Sequence, residues 1–299
     1  MSVILSNSRV NDDARRRMLF QGDVFLYGAT PASSKLIEFA RELTEEAFGN
    51  RDPQTAQHEM PVEEFAALLA ELKPRFIHHP TCKKLLPAVM DELGMSQDET
   101  YFDVPRLRTS TSDHYLDSGI SYAYHPHRDC WYAAPFCQVN WWIPVYEVVQ
   151  ENVFALHPQY FDKPVRNGSG RYDYADWTAV SRPEAAKHIH SDTRDQPKPE
   201  EEVDLETDQL RLVPEPGGIM MFSGAHLHST VANTSGRTRF SIDFRTVHID
   251  DVETRRSAPN VDATCRGTTL RDFYRASDLE RIPERLAAEY EAEALAKVT

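Results

Sequence analysis

The sequence predicts an α+β fold, a double-stranded β-helix (jelly roll) with helices packed on one of its sheets. In the first hundred residues, apolar side chains recur at helical spacing. Two later blocks, about 101–148 and 210–249, are rich in aromatic and β-branched residues and are broken by turn residues. Helices followed by two strand blocks indicate an α+β domain in which two sheets face each other.

The first predicted helix has clear boundaries. Thr30 and Pro31 begin it, because threonine can cap a helix and proline suits the first helical position. Gly49 ends it, because glycine is favoured just after a helix. A short strand is predicted before this helix, at about 23–27.

Three further helices follow from apolar periodicity and from breakers. We predict a helix at about 62–72 and another at about 81–93 that is interrupted by Pro87. A charged helix at about 278–297 closes the chain.

The distal strand block carries the clearest two-faced pattern. Apolar and polar residues alternate over residues 239–245, and neighbouring side chains of a strand point to opposite faces. One face therefore packs in the core and the other can line the barrel interior. The apolar residues are Phe240, Ile242 and Phe244, and the polar residues are Arg239, Ser241, Asp243 and Arg245.

We expect one domain in three parts, since 299 residues are enough for one large core. The parts are a helical segment at about 1–98, a jelly-roll core at about 99–250, and a C-terminal helical extension at about 251–299. The core contains a polar insertion at about 159–209 with a short helix near 183–189. An insertion of this length is typical of a lid or binding loop, or of a solvated surface loop.

Composition limits the partners. The chain has 33 basic and 47 acidic residues, a net charge of -14, and 40% hydrophobic residues. Nucleic acids and anionic membranes bind basic surfaces, so neither is an expected partner, whereas a locally positive pocket can still take a small anion. The four cysteines are too sparse for a disulfide scaffold. No secretion signal or long apolar run is found, so we expect a cytoplasmic protein.

The strongest chemical signal is a histidine two residues before an aspartate. On a strand, such side chains point the same way and can reach one metal ion. The pattern occurs three times, at 127–129, 190–192 and 248–250. We favour His127 and Asp129, because their aromatic surroundings indicate a buried strand. The other two pairs lie in the polar insertion and after the last strand, where surface pairs are expected.

A second histidine would complete a metal site. Two histidines and one carboxylate can bind Fe(II) on one face and leave its other positions open. His226 and His228 share a strand face, and each has an arginine eleven residues later, Arg237 or Arg239. Such an arginine can bind a dicarboxylate. These residues alone do not show which of the two histidines is the metal ligand.

The distal segment resembles the iron(II)/2-oxoglutarate dioxygenases of the phytanoyl-CoA dioxygenase superfamily. That family has an earlier His-x-Asp and a distal histidine. A small hydroxyl residue lies two positions after this histidine. An Asn-x-Ser/Thr motif begins five positions after it, and an arginine lies eleven positions after it. His228, Thr230, Asn233 and Arg239 match this pattern, and His226 does not. The resemblance covers roughly 100–250.

The resemblance implies Fe(II), 2-oxoglutarate and O2 as cofactors. It implies hydroxylation of a small molecule with release of succinate and CO2, in keeping with bacterial secondary metabolism. The implied iron ligands are His127, Asp129 and His228. The implied 2-oxoglutarate contacts are Arg239, Thr230, Asn140 and Tyr124. The candidate substrate contacts are Arg108, Trp131 and Gln138.

The chain departs from the family after its central strand. The segment 138–144 and the turn at Glu151 and Asn152 are similar to the family's. The usual Pro-Gly-Ser-His is replaced by Leu-His-Pro-Gln-Tyr at 156–160. Because this region borders the pocket, the resemblance does not imply a particular substrate.

Two other functions remain open. His125 and His226 would suit a cupin-type metal dioxygenase or isomerase that uses no 2-oxoglutarate, although the downstream glutamate spacing of cupins is missing. A non-catalytic jelly-roll binding protein is the other alternative. The sequence also leaves a homodimer open.

Overall fold

A large mixed sheet with helices packed against it is the centre of this α+β architecture. The computed structural model describes residues 2–116, 125–181 and 194–296. Within these ranges the strands are β1 (Ile4–Ser6), β2 (Val24–Tyr27), β3 (Thr100–Phe102), β4 (Arg106–Ser110), β5 (Val139–Pro144), β6 (Phe154–Leu156), β7 (Ile219–Ser223), β8 (His228–Thr230), β9 (Arg239–His248) and β10 (Tyr274–Arg275). The helices are α1 (Asp12–Leu19), α2 (Pro31–Phe48), α3 (Val62–Ile77), α4 (Pro80–Glu92), α5 (Tyr174–Asp176), α6 (Ile249–Thr254) and α7 (Glu284–Ala296).

The strands form two sheets. The large sheet has the order β1-β2-β7-β5-β9-β3-β10, and β4 pairs with the first half of β9. Its pairs are antiparallel except β1 with β2. The small sheet pairs β6 with β8, and single bridges at His127–His228 and Leu156–Leu210 extend it on both sides. The large sheet also takes β1 and β2 from the N-terminal part and β10 from the C-terminal extension, beyond the predicted core.

The first predicted strand and helix are confirmed. β2 covers Val24–Tyr27 and α2 covers Pro31–Phe48. The Thr30 side chain accepts a hydrogen bond from the Ser33 backbone N–H, and Ser33 Oγ accepts one from the Thr30 N–H. Gly49 follows α2 at φ 64°, a left-handed value that glycine adopts without strain.

Two helices contain internal prolines, one of them beyond the predicted end of its helix at about 72 and the other at a predicted break. α3 continues through Pro74, and α4 contains Pro87 without interruption. Proline removes one helical hydrogen bond, at a cost of about 3 kcal/mol. Each helix offsets this cost by burying an apolar face. The buried apolar residues include Leu69, Leu72 and Phe76 of α3 and Leu86, Val89 and Met90 of α4.

The closing helix is shorter than predicted. α7 begins at Glu284 rather than near 278, because β10 and a turn occupy the preceding residues. The short helix predicted near 183–189 lies outside the described residues. No helix within the described ranges has both the length and the apolar content needed to span a membrane.

The alternating strand β9 has the two predicted faces. Phe240, Ile242 and Phe244 are fully buried in the core shared with the helices. Trp141 of β5 stacks on Phe244 in that core, with ring centroids 4.9 Å apart. Trp142 points the other way, into a cluster between the two sheets. The opposite face of β9 lines a cavity between the sheets.

The cap of α2 gives a stability prediction. Thr30→Ala removes the hydroxyl that satisfies the Ser33 N–H, so we expect a loss of about 1 kcal/mol in the free energy of unfolding, measured with urea. Ser34→Ala, one position beyond Ser33 in α2, should be neutral or slightly stabilising, because alanine is the better helix former. Equal losses in both variants would contradict the capping role.

Candidate active site

The cavity begins where two histidines face each other across an antiparallel backbone pair. The N–H of His127 donates to the carbonyl of His228 at 2.9 Å, and the N–H of His228 donates to the carbonyl of His127 at 2.9 Å. Residues paired in this way project their side chains to the same face. The two rings are accordingly 4.3 Å apart, centroid to centroid.

Both rings are oriented by their own backbone. Nδ1 of His127 lies 2.8 Å from the carbonyl oxygen of His125, and Nδ1 of His228 lies 3.0 Å from that of His226. A carbonyl oxygen only accepts, so each Nδ1 carries the proton and donates. Each neutral ring is left with a lone pair on Nε2, the tautomer that binds metal ions.

Asp129 completes the group, although not from a strand. Its N–H donates to the Gly224 carbonyl at 3.0 Å, and it begins a 3-10 helix over Asp129–Tyr132, whereas the sequence predicted extended backbone. Its Oδ1 lies 3.6 Å from His127 Nε2 and 3.8 Å from His228 Nε2. One ligand atom from each residue lies within 4.8 Å of the other two. Adjacent octahedral ligands at bond lengths of about 2.1 Å are roughly 3 Å apart, so small movements allow all three to bind one ion.

The other oxygen of Asp129 is held by two side-chain amides. Gln138 Nε2 donates to Oδ2 at 2.8 Å, and Asn140 Nδ2 donates to it at 2.9 Å. Arg245 Nε lies 3.6 Å from the same oxygen. Burial alone would raise the pKa of the Asp129 carboxyl, but the neighbouring His127 ring and the charge of Arg245 hold this pKa well below its usual range. The carboxylate is therefore ionised, with Oδ1 directed at the two histidines.

Strand register explains why these groups meet. Asn140 of β5 lies directly opposite Arg245 of β9, so both side chains point to the cavity. Gln138 precedes Asn140 by two residues and points the same way. The structure thus places Asn140 and Gln138, predicted as co-substrate and substrate contacts, against the Asp129 carboxylate.

Arg128, between the two ligands, anchors the site to other parts of the chain. It is fully buried and donates to Asp262 Oδ2 at 3.0 Å and to the carbonyls of Ala225 and Tyr160 at 2.5 and 2.6 Å. Trp131 is also fully buried, and its Nε1 donates to Asp262 Oδ1 at 2.7 Å. Trp131 was predicted to contact substrate, but the 3-10 helix turns it into the core, so the structure gives it a packing role.

A second cluster of potential ligands has different chemistry. Glu99, His248 and Asp250 also lie within 4.8 Å of one another, with both acids exposed. Here Nδ1 of His248 accepts a hydrogen bond from the Asp250 N–H at 3.3 Å, so the proton of the neutral ring is on Nε2 and faces Glu99. This histidine caps α6 and is buried, so of the expected surface pair only Asp250 is exposed. The pair at 190–192 lies outside the described residues.

The cavity measures ≈ 410 Å³ and is locally basic in a strongly acidic protein. Six basic and four acidic side chains line it within the described ranges. The basic ones are Lys73, Arg106, Arg108, Arg194, Arg239 and Arg245, and the acidic ones are Asp103, Asp129, Asp243 and Asp272. Burial and the neighbouring charge of Arg108 lower the pKa of Lys73 to about 7. Such a cavity favours anionic small molecules.

Arg239 is the buried arginine of the distal segment, whereas Arg237 is exposed. One terminal nitrogen of Arg239 donates to the Asn152 carbonyl at 3.0 Å, and its guanidinium lies 5.7 Å from the centre of the Trp142 ring. Its Nε is buried without a hydrogen-bond partner among the described residues, as is the hydroxyl of Ser241 two residues later on the same face. Burial lowers the pKa of Arg239 to about 10, so it remains charged at neutral pH.

The Asn-x-Ser motif positions this arginine. Asn233 Nδ2 donates to the carbonyls of Ser110 and Arg237, and its Oδ1 accepts from the N–H and hydroxyl of Ser235. The Ser235 hydroxyl in turn accepts from Asn152, whose carbonyl holds Arg239. The motif therefore fixes the loop that leads into β9.

The remaining predicted residues differ in whether they line the cavity. Thr230 lines the cavity two residues after His228 on β8. Arg108 lines it too and donates to Asp243 at 2.8 Å. Tyr124 lies outside the described residues. Of the histidines considered for a cupin site, His125 is exposed, and His226 is buried with its Nε2 3.1 Å from the Gly22 carbonyl. Neither belongs to the ligand group.

Several lining residues were missed as site residues. The alternation of β9 carried a signal for Ser241 and Arg245, because both share the polar face of Arg239. Lys73 is on a helix far from the motifs, and no sequence pattern marks it. Tyr132, Tyr172 and Trp177 also line the cavity. The last two belong to the insertion, which the sequence left open as a lid, a binding loop or a surface loop.

Comparison with known proteins adds weak similarities only. No family model matches, and no curated protein matches. Solved structures with some similarity include the epimerase SnoN in complex with Fe3+, alpha ketoglutarate and nogalamycin RO (14% identity, TM-score 0.42, covering 79% of this chain and 85% of that chain). EvdO2 from Micromonospora carbonacea var. aurantiaca complexed with 2-oxoglutarate gives 13% identity and a TM-score of 0.45 over 80% of this chain and 92% of that chain. At these scores the function of this chain must be argued from its own residues.

The amide contacts to Asp129 give a prediction for metal affinity. Gln138→Leu keeps the size of the side chain but removes a donor to Oδ2. Loss of such a contact to a ligand usually weakens metal binding by about 10- to 100-fold, and we expect this drop in an anaerobic Fe(II) titration. Gln159→Leu is the control, because the Gln159 amide donates only to the backbone carbonyls of Asp204 and Thr207. Wild-type affinity in Gln138→Leu would refute the role.

Proposed function

We propose that this protein is an Fe(II)- and 2-oxoglutarate-dependent oxygenase of a small molecule, built on a double-stranded β-helix. The observation that carries the proposal is the convergence of His127 Nε2, His228 Nε2 and Asp129 Oδ1 at the wall of a basic cavity. Arg239, buried in the same cavity, has a nitrogen without a partner among the described residues.

The donor set suits ferrous iron. Two neutral imidazoles and one carboxylate on one side of an ion are the ligands of non-heme Fe(II) oxygenases, and the open side accepts other molecules. The ligands are also fixed in advance. The backbone holds both rings, and Gln138 and Asn140 hold the carboxylate.

The other end of the proposed co-substrate site suits a carboxylate. A buried donor without a partner costs about 1–3 kcal/mol, so the Arg239 Nε and the Ser241 hydroxyl favour a ligand that satisfies both. A guanidinium next to a hydroxyl matches the distal carboxylate of 2-oxoglutarate. Thr230, on the strand that carries His228, is proposed to assist.

In this mechanism the chain binds and orients the metal and the co-substrate and keeps water away from them. When bound, iron and 2-oxoglutarate supply the activation of O2 and the removal of a substrate hydrogen atom, with release of succinate and CO2. His127, His228 and Asp129 hold the metal and leave one side open. Arg239, Ser241 and Thr230 fix the co-substrate carboxylate. The buried rings of Phe154 and Phe222, next to His228, keep water from the ligands.

We infer hydroxylation as the reaction, because Asp129 supplies a carboxylate that radical halogenases of the superfamily resembled by this chain lack. The geometry disfavours the cupin alternative, since neither His125 nor His226 lies with the ligands. We further propose a single-domain cytoplasmic enzyme of secondary metabolism. Neither nucleic acid nor a membrane is proposed as a partner.

The cofactor assignment predicts a spectroscopic result. Anaerobic addition of Fe(II) and then 2-oxoglutarate should give a weak visible charge-transfer band, because the keto acid chelates the metal held by His127, His228 and Asp129. Asp129→Ala should lose the band and turnover. A native protein that binds Fe(II) but gives no band with 2-oxoglutarate would contradict the proposed co-substrate. Full turnover in Asp129→Ala would contradict the ligand assignment.

The carboxylate site predicts an ordered series of affinities. Arg239→Ala should raise the 2-oxoglutarate concentration for half-maximal band intensity by roughly 30-fold or more, because losing one partner of a buried charge pair costs about 2–5 kcal/mol. Ser241→Ala should raise it less, by about 10-fold, since it loses one hydrogen bond to a charge. Arg237→Ala, an exposed arginine on the same loop, is the control. An unchanged requirement in Arg239→Ala would place the carboxylate elsewhere.

A further inference from the structure

One wall of the cavity is aromatic and takes no part in the proposed binding of iron or 2-oxoglutarate. Four side chains form it within the described residues, and we call them the aromatic arm: Tyr132, Tyr172, Tyr174 and Trp177. Tyr132 ends the 3-10 helix that begins at Asp129, and the others belong to the insertion. None of the four takes part in the proposed binding of iron or 2-oxoglutarate.

The rings form a continuous series that starts at a metal ligand. Tyr132 packs edge to face on His127, with ring centroids 5.3 Å apart. Tyr172 packs on Tyr132 at 5.3 Å, and Trp177 packs on Tyr172 at 5.8 Å. A molecule lying along the aromatic arm therefore reaches the open side of the proposed iron site without leaving the cavity.

Contacts with neighbouring groups hold the rings of the arm in place. The Tyr132 hydroxyl donates to the Pro197 carbonyl at 3.1 Å, and the Tyr174 hydroxyl donates to Asp272. The Arg194 guanidinium lies 5.1 Å from the centre of the Trp177 ring. Rings that are ordered before binding lose little conformational entropy when a ligand arrives.

Gly267 allows the arm to approach the C-terminal extension. Its φ is +85°, and a Cβ at this position would lie 2.8 Å from the Tyr174 Cβ. The Tyr174 N–H donates to the neighbouring Arg266 carbonyl at 3.1 Å. Two distant segments therefore meet closely behind the arm, which indicates a built wall rather than a loose surface loop.

The chemistry of the arm selects for flat rings. Aromatic side chains bind other π systems through offset or edge-to-face contacts. A sugar would need several polar groups for its hydroxyls, whereas Asp272 and the Tyr132 hydroxyl already have partners. The Thr269 hydroxyl lines the cavity and is buried without a hydrogen-bond partner among the described residues. The wall thus offers stacking surface and the Thr269 hydroxyl for a polar substituent.

We propose that the aromatic arm binds the flat, unsaturated ring system of the substrate, with a polar substituent at Thr269 and one ring edge at the open side of the metal. As a statement about substrate, this rests on the proposed oxygenase function. As a binding site, the arm is defined by its own rings and can be tested separately.

The test uses probes that share size but differ in flatness. The full-length protein, loaded with Fe(II) and 2-oxoglutarate without O2, is dialysed against 2-naphthol, against its saturated counterpart 2-decalol, and against methyl glucoside. We expect 2-naphthol to bind at least about 10-fold more tightly than the other two, from stacking on two rings. Equal binding of 2-naphthol and 2-decalol, or preference for the glucoside, would overturn the proposal.

Variants locate the binding. Trp177→Leu and Tyr172→Leu should each weaken 2-naphthol binding by about 5- to 10-fold, and Trp177→Phe should restore most of it. Tyr274→Leu is the matched control, because Tyr274 also carries a stacked arginine, Arg281 at 4.7 Å, but does not line the cavity. Wild-type binding in both Trp177→Leu and Tyr172→Leu would overturn the proposal.

The charge-transfer band, recorded in the same samples, separates this proposal from the proposed function. A band together with no preference for flat rings overturns the aromatic-arm proposal and leaves the oxygenase function standing. Binding of 2-naphthol that depends on Trp177, with no band, supports the ring subsite and overturns the proposed co-substrate.

Discussion

The antiparallel backbone pair between His127 and His228 is the interaction on which the site depends. Its two hydrogen bonds connect segments that are far apart in the chain and give both imidazoles the same direction. It also joins the edge of the small sheet to the turn that carries Asp129. Metal ligands must be positioned to within a fraction of an ångström, and regular backbone pairing provides this precision better than free loops do.

The contacts around this pair indicate that some buried polar groups lower the stability of the protein but can bind the proposed co-substrate. A purely apolar core would contain no unsatisfied polar groups. This cavity instead buries the Arg239 Nε and the Ser241 hydroxyl without hydrogen-bond partners among the described residues, which lowers the free energy of unfolding. The neighbouring charges are arranged differently. Arg245 lies near Asp103, Asp243 and Asp129 and links the ligand carboxylate to the charged wall. Satisfied groups thus hold the proposed ligands, and unsatisfied ones remain for the proposed co-substrate.

Local patterns in the sequence predicted much of this arrangement. Spacing together with the aromatic surroundings singled out His127 and Asp129, and the motif after His228 selected it and Arg239 over His226 and Arg237. Alternation along β9 predicted which face lines the interior, and Thr30 and Gly49 predicted the ends of α2. In each case the signal lies within about a dozen residues, where backbone periodicity determines the direction of a side chain.

The remainder depended on contacts between distant segments. Asp129 lies in a 3-10 helix because Gly224 and the Ala133 turn shape its backbone, and this turns Trp131 into the core. Gln138 and Asn140 reach the carboxylate because Gly224, which follows β7, accepts from the Asp129 N–H and donates to the Gln138 carbonyl. The Lys73 side chain lines the cavity from α3, and no pattern in the sequence of this helix predicts that position. No local pattern contains such information, because it arises when the sheet and the helices pack.

The most direct test of the proposed iron site is an X-ray structure from crystals grown anaerobically with Fe(II) and 2-oxoglutarate, with anomalous data at the iron edge. The proposed site predicts one strong peak at about 2.0–2.2 Å from His127 Nε2, His228 Nε2 and an Asp129 oxygen, the range of metal–ligand bond lengths in proteins. A peak beside Glu99 and His248 instead, or an iron bound by only one of the two paired histidines, would contradict it.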